Sequence, residues 1–179
     1  MLITFGFDRL ALVAADLFFQ HPDPPPGQEG AEHGVRVELR HIEAGQLRGS
    51  VYSARPVAVT EPLWRVDLLR SVGAPGATLD RAHHHPAFTG WDESARVFDD
   101  ELSTDPFAWL ERELSDLPAV LARAGVAEST ATPRDLAELR LALPRVIEVV
   151  RWLLDQTLAG PLAPAPEPAT AGLVRASWL

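Results

Sequence analysis

Two periods divide the chain. Up to about residue 100, apolar and polar positions alternate; beyond it, apolar residues recur at three- and four-residue steps. Alternation places successive side chains on opposite faces of a strand, whereas the longer step lines one face of a helix. In "VRVELRHIEA", Val35, Val37, Leu39 and His41 alternate with Arg36, Glu38, Arg40 and Ile42, which predicts a half-buried strand with His41 at the end of its apolar face. In "LWRVDLLRSV", Trp64, Val66 and Leu68 oppose Arg65 and Asp67 in the same way. Residues 2–7 read as a short strand, and 9–19 fit either a strand or a short helix. "SVYSARPVAV" reads as a strand that Pro56 drives to an edge or a bulge. Residues 82–88 and "ARVF" at 95–98 read as further extended segments. "HPDPPPGQEGAEHG" carries too many prolines and glycines for a regular element and reads as a loop.

The helical half opens on Asp105-Pro106, a cap followed by a proline at the first helical position. Phe107, Leu110, Leu114, Leu117 and Leu121 then form one apolar stripe; Pro118 is expected to break or kink it, and Gly125 to end it. Thr132-Pro133 repeats the start signal. Leu136, Leu139, Leu143, Val146, Val150 and Leu153 form a second stripe, with a kink or break expected at Pro144 and an end at Gly160. These patterns predict an α+β fold: an N-terminal antiparallel β-meander, as a small barrel or sandwich, packed by C-terminal helices at about 106–124 and 133–159. Residues 1–160 are expected to form one domain. Residues 161–179 follow as a Pro/Ala linker and an apolar peptide, "GLVRASWL", suited to docking on the domain, a second copy or a protein partner.

Composition then narrows the chemistry. The chain has no Cys, Lys or Asn, and all sixteen of its basic residues are Arg. That excludes thiol nucleophiles, lysine Schiff bases, P-loop lysines and zinc-thiolate sites. The bias suggests a GC-rich bacterial genome. A net charge of -9 argues against a nucleic-acid partner, which requires a basic surface. Neither a membrane-length apolar run nor a signal-peptide pattern is evident, so a cytoplasmic location is the expectation.

Candidate chemistry concentrates in "TLDRAHHHPAFTGWDE", residues 78–93. On an extended backbone His83 and His85 share a face and His84 points away. A His-x-His pair presents two imidazoles to one metal, and His41 is the expected third ligand, with Asp67, Asp80 or Glu43 as oxygen donors. Zinc or iron suits such a set. Without a metal, one imidazole could act as a general base, with Arg36, Arg40, Arg55, Arg65 and Arg81 holding an anion. Phe88, Trp91 and Phe98 read as anchors that pin a loop to the sheet, and Asp99, Asp100 and Glu101 as a solvated approach to a helix start. Two functions from different classes follow. The first is an interaction module that binds a protein partner or self-associates as a homo-oligomer through its helices or C-terminal peptide. The alternative is a small metal-dependent hydrolase or oxygenase built on His83, His85 and His41.

Overall fold

The computed structural model describes residues 1–46, 49, 56–73 and 78–160. Arg55 and the C-terminal segment 161–179, both named above, lie outside the described residues. Five strands form one antiparallel sheet in sequence order: β1 (Leu2–Gly6), β2 (Leu10–Gln20), β3 (Ala31–Ala44), β4 (Val57–Ser71) and β5 (His83–His85). A two-stranded ribbon follows, β6 (Phe88–Thr89) and β7 (Asp92–Glu93). Four α-helices follow among the described residues: α1 (Asp100–Thr104), α2 (Pro106–Ser115), α3 (Leu117–Arg123) and α4 (Pro133–Ala159). The α+β class expected from the periodicity is the one observed. The sheet stays open, neither closing as a barrel nor pairing with a second sheet as a sandwich. No described helix is long and apolar enough to cross a membrane.

The ambiguous segment 9–19 is strand, because its neighbours on both sides are strands that need its hydrogen bonds; β2 pairs with β1 along five residues and with β3 along eleven. β3 also begins earlier than its apolar alternation suggested, at Ala31, and runs through Gly34. Only glycine fits there. A Cβ on Gly34 would lie 2.0 Å from the backbone oxygen of Leu68 on β4. Gly34→Ala is therefore expected to lower the unfolding free energy by about 3 kcal/mol or more, since backbone must move to admit one methyl group. A urea midpoint equal to that of the wild type would refute this close approach.

β4 is one long strand that carries Pro62 inside it, opposite Arg40, where the β3–β4 register shifts. A residue without an N–H is accommodated there because the ladder is already irregular. The two helix-breaking prolines also resolve differently. Pro118 sits in the first turn of α3, behind the cap Asp116, and so begins a new helix. Pro144 lies inside α4, which continues through it for 27 residues.

One sheet face meets the helices. Leu10, Leu12, Ala14, Val35, Val37, Leu39, Trp64, Val66 and Leu68 pack with Leu110, Leu114, Leu139, Val146 and Val150 into one core, and Trp64 stacks on Trp109 with ring centres 6.2 Å apart. The carboxylate of Asp135 ties this helix layer to the sheet. It completes the α4 capping box by accepting from the N–H of the N-cap Thr132, and also accepts from the backbone N–H groups of Asp8, Arg9 and Leu10 at the β1–β2 turn, at 3.0, 2.9 and 3.1 Å.

Candidate metal centre

The other face of the sheet is charged yet largely buried. Residues directly opposite in an antiparallel ladder share a face, so the register assigns the groups. Arg36 on β3 faces Asp67 on β4, which faces His83 on β5. Glu38 faces Arg65, which faces His85. His84 faces Val66 and therefore turns to the core, where it packs against Trp109 at 5.1 Å. The histidine triplet is thus divided by the pleat, as the extended backbone implied, but the pair lies on the charged side. Asp67, His83 and His85 are 1%, 1% and 2% exposed.

The site is roofed by the segment that follows β5. Val97 bridges to His84, bringing Phe98 to 5.5 Å from the His83 ring. Phe88 lies 6.4 Å from His85 and also carries the Arg65 guanidinium over its ring. These two rings anchor the loop and shield the imidazoles at once. Trp91 is 59% exposed and meets the Arg40 guanidinium instead. Asp99 caps α1 and accepts from the Trp109 indole, so this acid serves the helix start and not the site.

Each imidazole is oriented through Nδ1, with His83 Nδ1 lying 2.8 Å from the Arg81 carbonyl and His85 Nδ1 2.6 Å from the Ser94 carbonyl. A carbonyl can only accept, so both Nδ1 atoms carry the proton, and in a neutral ring the lone pair is on Nε2. Both Nε2 atoms are buried without a hydrogen-bond partner. Both point toward one oxygen, Oδ2 of Asp67, at 3.4 Å for His83 and 3.8 Å for His85. Burial, with the nearby Arg65 charge, pushes His85 down to about 4, so at neutral pH its lone pair faces a carboxylate oxygen that also can only accept. Two acceptors aimed at each other in a buried space call for a cation between them.

Asp67 is ionised. Burial alone would raise its pKa, but the Arg36 and Arg65 guanidiniums outweigh that and hold it well below the usual carboxylate range. Arg36 donates through Nε to Oδ1 at 2.7 Å and through a second nitrogen to Oδ2 at 3.2 Å. Arg65 Nε lies 3.2 Å from Oδ2, while its other nitrogens reach Glu38 at 3.9 Å and Glu93. Arg40 donates to Glu38 at 2.8 Å. Three guanidiniums thus balance three carboxylates when the imidazoles are neutral.

Of the residues singled out from sequence, His83 and His85 come together with Asp67, with one ligand atom from each lying within 4.8 Å of the others. His41 does not join them. It stands opposite Leu10, a core residue on the other face, beside the irregular Arg40–Ile42 step. Asp80 is spent on Ser71, accepting from its backbone N–H at 2.9 Å and its hydroxyl at 2.6 Å, and Glu43 is exposed near the end of β3. Arg81 reaches Ser71 and the carbonyls of the 21–30 loop. Of the arginines considered for an anion, the four among the described residues therefore meet acids, carbonyls and the Ser71 hydroxyl. Glu38 and Glu93 belong to the network and were not anticipated. Glu38 reads as the ordinary polar side of a strand, and Glu93 arrives only through the β6–β7 ribbon. No protein-family model matches the chain, and no curated protein or solved structure is similar to it.

Proposed function

We propose that this chain binds one divalent first-row metal ion through Oδ2 of Asp67 and Nε2 of His83 and His85. The observation that carries the reading is the pair of buried Nε2 atoms, neither with a hydrogen-bond partner, converging on a carboxylate oxygen. The spacing suits it. Ligand atoms about 2.1 Å from a tetrahedral metal lie about 3.4 Å from one another, against 3.4 and 3.8 Å here. The surroundings suit it as well: metal-bound imidazoles ordinarily donate their other N–H to a carbonyl or carboxylate, as both do here. Arg36 can keep Oδ1 while Oδ2 turns to the metal. Arg65, which crowds Oδ2, already reaches Glu38 and Glu93 and can shift wholly to them. Two histidines and one carboxylate form a set used for zinc and for non-haem iron, and the metal would supply Lewis acidity at a site whose Glu93 side faces solvent. The interaction-module reading rests on the helices and on residues 161–179. Metal content can be tested directly, and the metal-dependent reading is the one with a built cluster behind it.

Zinc added to the metal-stripped, tag-free protein is expected to bind at one ion per chain in calorimetry and to raise the melting temperature. His83→Ala and His85→Ala should each weaken binding at least about tenfold, the scale on which even an outer-shell partner is felt. His84→Ala, on the opposite face, should leave it unchanged. Failure of zinc, iron(II), manganese and nickel alike to bind the wild type would end the proposal.

A further inference from the structure

The outer surface of α4 has an internal symmetry. Leu141, Arg145, Glu148 and Trp152 fall at helical spacing on one exposed stripe, Leu141 at 82% and Trp152 at 42% exposure. Arg145 and Glu148 pair with each other at 2.5 Å in the middle of the stripe, and the two large apolar groups stand outside them, Leu141 four residues before Arg145 and Trp152 four residues after Glu148. Reversing the helix about the point midway between Val146 and Ile147 exchanges Arg145 with Glu148 and Leu141 with Trp152. A stripe that reads as its own complement when inverted meets the requirement of an isologous, two-fold contact, in which residue i meets j and j meets i.

The adjoining sheet edge has the matching property. β1 is an outer strand, and among the described residues nothing pairs with its far side. Met1 accepts from Asp16 N–H and Phe7 donates to the Leu10 carbonyl, so the odd residues of this strand bond inward to β2. The backbone groups of Leu2, Thr4 and Gly6 therefore point outward by the alternation of an antiparallel ladder. The strand "LITFG" has none of the charges, prolines or bulges that ordinarily protect such an edge. Ile3 lines a shallow hollow with Arg145, Glu148, Val149 and Trp152, so the edge and the centre of the stripe are neighbours. One two-fold axis can serve both.

From this we infer that a second copy of this chain docks on the α4 stripe and the β1 edge, with Leu141 against Trp152 and Arg145 against Glu148 across the axis, and β1 strands side by side. Charge complementarity and the unprotected edge name the occupant as a second copy. The inference is independent of the metal.

Light scattering of the full chain at micromolar concentration is expected to show a dimer. Arg145→Glu places carboxylates opposite one another twice over, by symmetry, and should raise the dimer dissociation constant at least about tenfold. Adding Glu148→Arg to it should restore the dimer, which no general damage to the fold would do. Thr4→Pro removes an outward N–H without touching the β2 ladder and should likewise yield monomers with unchanged circular dichroism. A monomeric wild type overturns the inference, as does a dimer that persists through both Arg145→Glu and Thr4→Pro.

Discussion

Asp135→Ala is expected to be among the most damaging single substitutions in this protein, lowering the melting temperature by about 6–20 °C. Asp135 is fully buried. Its Oδ1 accepts three backbone N–H groups from the β1–β2 turn, and its Oδ2 accepts the backbone N–H and the hydroxyl of Thr132, each at 2.8 Å. Removing it deprives α4 of its capping box and leaves several backbone donors unpaired. An unmet buried donor costs about 1–3 kcal/mol and a lost cap about 1 kcal/mol. A total of about 3–5 kcal/mol is expected, which at about 2–4 °C per kcal/mol for a chain of this size gives the stated fall. Asp135→Asn keeps the shape but turns an amide N–H₂ toward the Thr132 N–H or toward the turn, so it should recover only part of the loss. The pH dependence has a definite sign. Burial opposes ionisation of Asp135, but its bonds from Thr132, Arg9 and Leu10 lower its pKa on balance. A carboxyl with a lowered folded pKa contributes stability that is fully present above its unfolded pKa of about 3.9 and is lost as pH falls through the folded value. The gap in melting temperature between wild type and Asp135→Ala should therefore narrow below about pH 4. A variant within about 2 °C of the wild type at pH 7 would show that the carboxylate does not join the sheet to the helix layer.

Asp67→Ala is the second large effect. It leaves Arg36 and Arg65 in a face that is nearly closed to water, with the carboxylate they share removed. Breaking a buried ion pair from one side costs about 3–5 kcal/mol, because the remaining charges have no compensation. His83→Ala and His85→Ala remove rings that carry no such debt and should each cost less. The order Asp67→Ala worse than either histidine variant, read from urea midpoints of the metal-free protein, separates the structural role of Asp67 from its role as a ligand. Equal midpoints for all three variants would contradict the central position of Asp67 in the charge network. The metal titration of the same variants is a distinct readout: there all three should bind at least about tenfold more weakly than the wild type.

Much of this architecture was legible in the residues. Strands show as alternation because their side chains repeat every two residues, and α2 and α4 show as stripes behind Asp105-Pro106 and Thr132-Pro133. The division of the histidine triplet was equally local. Successive residues of any extended segment face opposite ways, so His83 and His85 had to part from His84.

What lay beyond the sequence was the partner of that pair. The run "HHH" carries no apolar residue to mark its buried side, and the alternation of β3 placed His41 on the apolar face as an attractive third ligand. Only the ladder settles the matter. Val66 stands opposite His84, so Trp64, Val66 and Leu68 claim His84 for the core, while Asp67 and Arg65 claim His83 and His85 for the other face. Neither the order of strands in the sheet nor the register between them is written in any one segment. Both follow from hydrogen bonds between residues far apart in the chain and from packing that buries one face of every strand at once. By itself the sequence determined which side chains travel together on each element; the tertiary structure decided which of those sets meet, and so put a carboxylate, and not His41, within reach of the two imidazoles.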